Sequence, residues 1–406
     1  MSGLQAHLAR AEHATVLAVV PALLLGGRAV SYVLFVWLLL RVAGAAAGKE
    51  RYISAARPAK MWGWMAAYFA LQLLGTLWSE NVAAAQFSWE VKASFLVVPL
   101  IVMLRGALSA EKLRRALLQG VVYGTVAYLV LRLVNGIWLA LNAAGPNPFA
   151  GLHYAGLAGD VHPTYLALYA AAGLAFLAEL FPKRRRLQAG LAFFLLLSIG
   201  LLGSKAGVIA AVPALFFYAR AQPGTSPRRL LTGLVGAALL ATAAYVSSAD
   251  RFLELATAVE AVEAIELQDA AAIRSSSSGR VAVWRSALEL LTSHPMGVGT
   301  GDVEAELNAL YARDHIDYAL DRRLNPHNQW LQAGVAFGWP GVLIWSALLM
   351  SGWRLARRKN DGSLLAFMLI LGLHASFESV LEAQRGVVFV AMVLAILALE
   401  KTTTGD

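Results

Sequence analysis

The chain contains no cysteine and few charged residues. None of its 406 residues is a cysteine, which excludes disulfides, thiolate metal sites and covalent haem attachment. Only 15% of the residues are charged and 58% are hydrophobic, whereas a soluble domain usually has about 25% charged and about 45–50% apolar residues. The composition therefore excludes an ordinary soluble domain.

The sequence contains long runs of uncharged, mostly apolar residues. Segments such as LLTGLVGAALLATAAYV and GVVFVAMVLAILAL carry no charge over roughly the length that crosses a bilayer. The N-terminal run lacks a clear A-x-A cleavage site, so we expect it to be retained as the first span. The sequence predicts an all-α polytopic membrane protein with about 12 spans, placed near residues 14–26, 29–46, 61–78, 84–104, 115–141, 163–181, 187–202, 205–219, 229–247, 328–353, 363–378 and 386–400.

The basic residues indicate how the spans are oriented. With the N-terminus in the cytoplasm, 22 of the 34 lysines and arginines fall in the alternate, inside segments. The short outside loops hold only Arg28, Lys92, Lys205 and Arg385. Lys and Arg accumulate on the cytoplasmic side of membrane proteins, so the net charge of +9 reflects orientation rather than nucleic-acid binding.

One outside segment is much longer than the others. Residues 248–326 form a loop of 79 residues with a net charge of −6. This loop separates an N-terminal membrane bundle, 1–247, from a C-terminal one, 327–406. Long loops in a compact architecture are usually functional. Its first part, 251–272, has the spacing of an amphipathic helix that packs along the membrane or over the bundle.

The second half of the loop predicts a helix beside a candidate anion site. The stretch SSSSGRVAVWRSALELLTS favours a helix from a cap at Ser277 or Ser278 to about Ser293. Arg280 then falls in the first turn, where backbone N–H groups favour an anion, and Trp284 follows one turn later. The alternative for Arg280 is a surface or snorkelling residue.

Two further motifs in the loop have ordinary interpretations. GVGTG lacks the preceding strand and the glycine spacing of a dinucleotide site, so it predicts a turn before a helix capped near Asp302. DHID, at 314–317, places two carboxylates and a histidine in a polar loop, where solvation is favoured over metal binding. We therefore expect neither a metal nor a cofactor.

The histidine of PHN stands at the outer entrance of the tenth predicted span. The Asn-Pro pair before it predicts an extended or turn conformation, and His327 then shares helical spacing with Leu331. An imidazole can accept a proton from a hydroxyl near neutral pH. Arg322 and Arg323 are close enough in sequence to hold a phosphate-bearing ligand. The alternative for His327 is an interfacial residue that only caps the helix.

Together these motifs resemble the O-antigen ligase family of bacterial inner-membrane proteins. The resemblance rests on SGRVAVWRSALELLTSHPMGVGTGD followed by PHNQWLQAGVAFGWPGVLIW, with HPTYLALY at 162–169 and FESVLEAQRGVVFV at 377–390 in support. It implies the C-type glycosyltransferase architecture and a metal-independent, inverting transfer. The donor would be a polysaccharide on undecaprenyl pyrophosphate. The acceptor would be a sugar hydroxyl of lipid A–core, and the loop and active site would face the periplasm.

The resemblance also implies roles for individual residues. His327 would be the general base and Arg280 would engage the pyrophosphate. Lys205 stands where many members carry an arginine, which replaces a bidentate fork with a point charge; Arg322 and Arg323 would assist. Ionisable groups at a membrane are costly to keep, so we expect supporting roles for His162, Glu378, Glu382 and Arg385. Further candidates for supporting roles in the same motifs are Asn328, Tyr165, Trp284 and His294. The alternative for Glu378, Glu382 and Arg385 is a structural ion network.

Three other functions compete with the ligase. A polysaccharide polymerase would use the same donor but a second lipid-linked glycan as acceptor, and a protein-directed oligosaccharyltransferase would use a protein. A secondary transporter is a different class. Transporters of that kind often have paired Gly- or Pro-broken helices in matching halves, and this sequence shows no such pair.

Overall fold

The computed structural model describes residues 3–47, 59–142, 148–222, 233 and 276–399. All regular structure in these ranges is helical. The predicted ninth span, the predicted amphipathic helix and the loop residues before 276 lie outside them. We number the helices α1 (Gly3–Leu25), α2 (Ala29–Ala47), α3 (Lys60–Gly75), α4 (Val82–Lys92), α5 (Ser94–Met103), α6 (Ala110–Asn142), α7 (Tyr154–Ala158), α8 (Pro163–Leu180), α9 (Arg185–Leu201), α10 (Lys205–Arg220), α11 (Ser276–Ser293), α12 (Val303–Arg313), α13 (Asp317–Leu320), α14 (Gln329–Lys359), α15 (Gly362–Ala375) and α16 (Gln384–Leu397).

Six helical stretches in the described ranges are long and apolar enough to cross a membrane. They are α1, α2, α4 with α5, α6, α8 and α14, and each coincides with a predicted span. The helices α15 and α16 are also apolar but have 14 residues each. The described part of the chain is therefore all-helical and has the long apolar helices of a multi-pass membrane protein.

The buried residues form two cores. The larger lies among the spans, where α8 and α16 are almost completely enclosed and the Tyr169 and Phe389 rings meet with centroids 4.2 Å apart. The smaller joins α11, α12 and the first half of α14 through Val283, Leu307 and Val335. The outer loop helices therefore have their own hydrophobic contact with the span that begins after PHN.

Buried ion pairs link the helix ends that the charge pattern assigns to the cytoplasm. Arg41 lies 2.8 Å from Glu12. Arg114 binds both Glu179 and Asp361, at 2.6 and 2.5 Å. Burial raises the pKa of Asp361, but the hydrogen bonds and charge of Arg114 outweigh burial and lower it. These contacts bring several predicted inside segments together at one end of the bundle.

At the other end, the HPMGVGTG turn docks into a kink of α14. The kink is at Gly338, whose φ of 63° and ψ of −150° interrupt the helix. The N–H groups of Val298 and Gly299 donate to helix carbonyls that precede the kink, at 2.9 and 3.1 Å. The Trp339 N–H donates to the Pro295 carbonyl at 3.0 Å. The two glycine-containing motifs thus satisfy each other's backbone groups.

The predicted boundaries around this turn are mostly confirmed. The helix ends at Ser293 as expected, and Asp302 is the N-cap residue of α12. The Asp302 carboxylate does not cap its own helix. Instead it accepts the backbone N–H groups of Glu80 and Asn81, both at 2.8 Å, and so ties the loop to the turn that leads into α4.

One predicted helix start and one predicted helical position are wrong. Helix α11 begins at Ser276 rather than after a cap at Ser277 or Ser278, so Arg280 is its fifth residue and lies in the second turn. Helix α14 begins at Gln329 with Asn328 as its cap. His327 precedes the helix, in the left-handed region at a φ of 45°, and does not share helical spacing with the residues that follow.

Candidate active site

The backbone around PHN holds the His327 ring at the mouth of the span. The Asn325 side-chain oxygen accepts the His327 N–H at 2.9 Å, which turns the chain across Pro326. The Asn328 side chain then accepts the N–H groups of Trp330 and Leu331 at 2.9 and 3.2 Å. The imidazole is thereby placed between the turn and the first turn of α14.

A buried carboxylate pairs with this ring. The Glu378 Oε1 lies 3.2 Å from His327 Nδ1, and the two side chains are 6% and 22% exposed. Burial raises the pKa of Glu378, but the hydrogen bond and charge of His327, with the charges of His162 and His374, outweigh it and lower the pKa to about 2. A charged Glu378 accepts the Nδ1–H, which leaves Nε2 as the proton acceptor of the ring.

Hydrogen bonds between backbone and side-chain groups join the turn that contains Glu378 to the PHN motif. The Asn328 N–H donates to the Ser379 hydroxyl at 3.2 Å, and its side-chain NH₂ donates to the Ser376 carbonyl at 3.1 Å. The Leu381 N–H donates to the Gln329 side-chain oxygen at 2.8 Å. The turn between α15 and α16 and the start of α14 therefore form one frame, in which the imidazole and carboxylate cannot separate independently.

Helix α11 reaches the same frame through Trp284. Its indole N–H donates to the Pro326 carbonyl at 2.7 Å, and its ring lies 6.5 Å from that of Phe377. Arg280 is one helical turn earlier, on the same side of α11. Arg280 is half-buried.

Helices α8 and α10 present their N-termini at this end. The Tyr165 hydroxyl donates to the Ser379 carbonyl at 3.5 Å, and the His162 ring lies 6.3 Å from that of Tyr165. A Cβ on Gly207 would lie 2.4 Å from the Ala167 side chain, so α8 and α10 meet closely just inside their first turns. Lys205, the first residue of α10, therefore lies at the same end as His162.

Glu378, Glu382 and Arg385 do not form one ion network. Glu382 pairs with Lys92 at 2.9 Å, while Glu378 pairs with His327. Arg385 donates to the backbone carbonyls of Leu23 and Asp160, at 3.1 and 2.5 Å. The three residues therefore make separate contacts, on the turn between α15 and α16 and at the start of α16.

Lys92 is a residue that the sequence argument left without a role. Its side chain is only 4% exposed and is bound to Glu382 and, at 2.9 Å, to the Ser88 hydroxyl. The signal was present, because Lys92 is an isolated cation within the predicted span 84–104. The criterion that selected Glu382, the cost of keeping an ionisable group at a membrane, applies equally to this lysine.

Three predicted site residues lie apart from the His327–Glu378 pair. Arg322 stacks over the Tyr318 ring at 4.2 Å, and Arg323 lies 3.4 Å from Glu304; both arginines are exposed. His294 follows the far end of α11 from Arg280, with its Nδ1 3.0 Å from the Ser293 hydroxyl. Within the ranges that the structure describes, no three His, Asp or Glu side chains are grouped as metal ligands.

The comparisons with known proteins agree with the resemblance seen in the motifs. Residues 189–346 match the family model described as O-antigen ligase. This segment contains Lys205, Arg280 and His327 and ends before Glu378. No curated protein matches the chain. Residues 189–346 are thus similar to the O-antigen ligase domain.

Proposed function

Starting from that family domain, we propose that this protein is an O-antigen ligase of the bacterial inner membrane. It transfers a polysaccharide from undecaprenyl pyrophosphate to a sugar hydroxyl of lipid A–core at the periplasmic face. The observation that carries the proposal is the imidazole–carboxylate pair of His327 and Glu378 at the start of a membrane span. There, a base meets an acceptor from the water and a donor held by its lipid.

The reaction needs a base and no metal. The acceptor hydroxyl gives its proton to His327 Nε2 as its oxygen bonds to the anomeric carbon of the donor sugar. The bond from that carbon to the phosphate oxygen breaks, and undecaprenyl pyrophosphate leaves with the electron pair. Glu378 accepts the Nδ1–H throughout and stabilises the imidazolium that forms. Attack opposite the leaving group inverts the anomeric centre.

Cations stabilise the departing pyrophosphate. Arg280 and Lys205 both belong to the family segment and lie on helices that reach the outer end of the bundle. Positive charge placed where negative charge develops lowers the barrier because it favours the transition state. Arg322 and Arg323, at the exposed rim, attract the anionic donor before it is bound. Cleavage of the donor's glycosyl–pyrophosphate bond supplies the driving force.

The deciding experiment is transfer by the purified full-length chain in detergent or nanodiscs. His327→Ala and His327→Gln should fold and bind the lipid-linked donor, yet lose roughly 10²–10⁴-fold in transfer rate, the usual contribution of a general base. His294→Ala is the matched control, because this histidine is exposed and follows the far end of α11 from Arg280. Near wild-type turnover of both His327 variants would leave the residue with only a structural role at the start of α14.

The acceptor supplied in this assay separates ligase from polymerase. A ligase moves the glycan onto purified lipid A–core and leaves a second lipid-linked glycan unextended. Growth of the lipid-linked glycan, with lipid A–core unmodified, would instead identify a polymerase that uses the same base. Both reactions need the same donor, so the acceptor is the only component that is changed.

A further inference from the structure

A cleft with no assigned role opens beside the His327 turn on the water side. It has a volume of about 270 Å³ and lies between α4, the start of α12 and the 323–325 turn. Two residues at its rim, Glu304 and Arg323, have side chains that are 63% and 74% exposed, so the cleft is open to water.

The inner wall of the cleft carries hydrogen-bonding groups that are buried and incompletely used. Gln332 lines the cleft, is 7% exposed, and its Oε1 has no hydrogen-bond partner among the described residues. Lys92 also lines it, and the bonds to Glu382 and Ser88 account for two of the three N–H donors of its ammonium group. A buried amide oxygen without a donor is unfavourable. A hydroxylated ligand could supply that donor.

The charges in the cleft argue against an anion as the ligand. Lys92 is paired with Glu382 at 2.9 Å, and Arg323 is paired with Glu304 at 3.4 Å. Both cations are therefore balanced by a carboxylate of the cleft itself. A pyrophosphate would have to displace a carboxylate or lie beside it, which electrostatic repulsion disfavours.

The cleft is also lined by apolar residues, among them an exposed aromatic ring. Phe87 is 67% exposed and lines the cleft together with Val91 and Leu307. Sites for small ligands combine apolar and aromatic walls with a few placed polar groups. A pyranose ring fits this combination because one of its faces is C–H-rich and its edge carries hydroxyls.

The cleft is joined to the base by two residues. Asn325 lines it and also accepts the His327 N–H at 2.9 Å. The Gln332 N–H donates to the Asn328 carbonyl at 2.9 Å, one turn into the same helix. A glycan bound here would therefore lie beside the turn that carries His327, where an acceptor can arrive from water.

We propose that this cleft binds a neutral sugar residue of the acceptor glycan, with Phe87 against the ring face and Gln332 and Lys92 on its hydroxyls. The identification of this sugar as part of the acceptor rests on the proposed function. The inference that the cleft binds a sugar does not depend on the proposed function. Phe87, Gln332 and Lys92 are then positioning residues, because they hold the acceptor while His327 removes its proton.

The test uses the full-length protein with two cleft variants and one control. Phe87→Ala removes an exposed ring, and Gln332→Met removes the unpartnered oxygen at similar volume. Phe149→Ala is the matched control, because Phe149 is 62% exposed and does not line the cleft. We expect the KM for lipid A–core to rise at least fivefold in both cleft variants, while kcat and the KM for the donor change less than twofold.

A binding measurement makes the inference independent of turnover. Saturation-transfer NMR with delipidated core oligosaccharide should show contact with wild type and Phe149→Ala, and at least fivefold weaker binding to Phe87→Ala. If the wild type binds this oligosaccharide through Phe87 but transfers no glycan to lipid A–core, the sugar site stands and the ligase proposal fails. If transfer proceeds and both cleft variants match Phe149→Ala, the inference is overturned. A rise in the KM for the donor alone would also overturn it.

Discussion

His327 Nδ1 and Glu378 Oε1 lie 3.2 Å apart, although 51 residues separate them in the chain. This pairing places a negative charge beside the candidate base. Along the sequence, the charged residues nearest to His327 are Arg323 and Arg322. In the structure these arginines contact Tyr318 and Glu304 instead, and the charge beside the ring is a buried carboxylate. Glu378 thus orients the ring, whereas the arginines do not.

We expect Glu378→Gln to lower the transfer rate at least tenfold, because a neutral amide neither holds the Nδ1–H tautomer nor stabilises the imidazolium. Replacing the carboxylate that orients a catalytic histidine can cost up to about 10⁴-fold elsewhere. Combined with His327→Gln, the change should add little further loss, since the two residues act as a unit. Wild-type transfer by folded Glu378→Gln would refute the role.

The stability of the protein should depend on Glu378 and on pH. Its folded pKa of about 2 is below the ordinary value of 4.5. A lowered carboxyl pKa stabilises the fold above pH 4.5, and this stabilisation is lost as pH falls toward 2. Glu378→Gln should therefore have a lower Tm than wild type at pH 6, and the difference should shrink by pH 3. Tryptophan-fluorescence melting in detergent measures this, with the exposed Glu90→Gln as control. A difference that is the same at both pH values would contradict the prediction.

Donor binding should depend on Arg280 and on the charge of Lys205. Arg280→Ala removes a charge-assisted contact of about 1.5–3 kcal/mol, so donor binding or turnover should fall at least tenfold. Lys205→Arg keeps the charge and should be tolerated, whereas Lys205→Ala should not be. Arg285→Ala is the control, since Arg285 is exposed on the same helix. Equal donor affinity of Arg280→Ala and Arg285→Ala would exclude Arg280 from the site.

The two ends of the bundle should face opposite sides of the membrane. The native chain has no cysteine, so each introduced cysteine is a unique label site. Met296→Cys, in the HPMGVGTG turn, should react with a membrane-impermeant maleimide in intact spheroplasts. Arg115→Cys, beside the buried Arg114 cluster, should react only after permeabilisation. Both positions are exposed, so accessibility of the side chain does not bias the comparison. The reverse pattern would invert the assigned orientation.

The sequence by itself determined the class of the protein, the position of its long spans, the end of α11 at Ser293, the N-cap position at Asp302 and the resemblance to the O-antigen ligase family. These features are local or compositional. Hydrophobic runs, turn residues and motif order are present in the chain before it folds, so they can be recognised without knowing which helices are neighbours.

The tertiary structure alone decided which residues meet. Lys92 and Glu382 are 290 residues apart, and the pairing of His327 with Glu378 depends on the turn between α15 and α16 lying against the start of α14. Helical spacing also could not show that His327 precedes its helix in a left-handed conformation, because the apolar period continues across the cap. Ion pairs and base–carboxylate pairs arise from packing between distant segments, and no local pattern in the sequence encodes those distances.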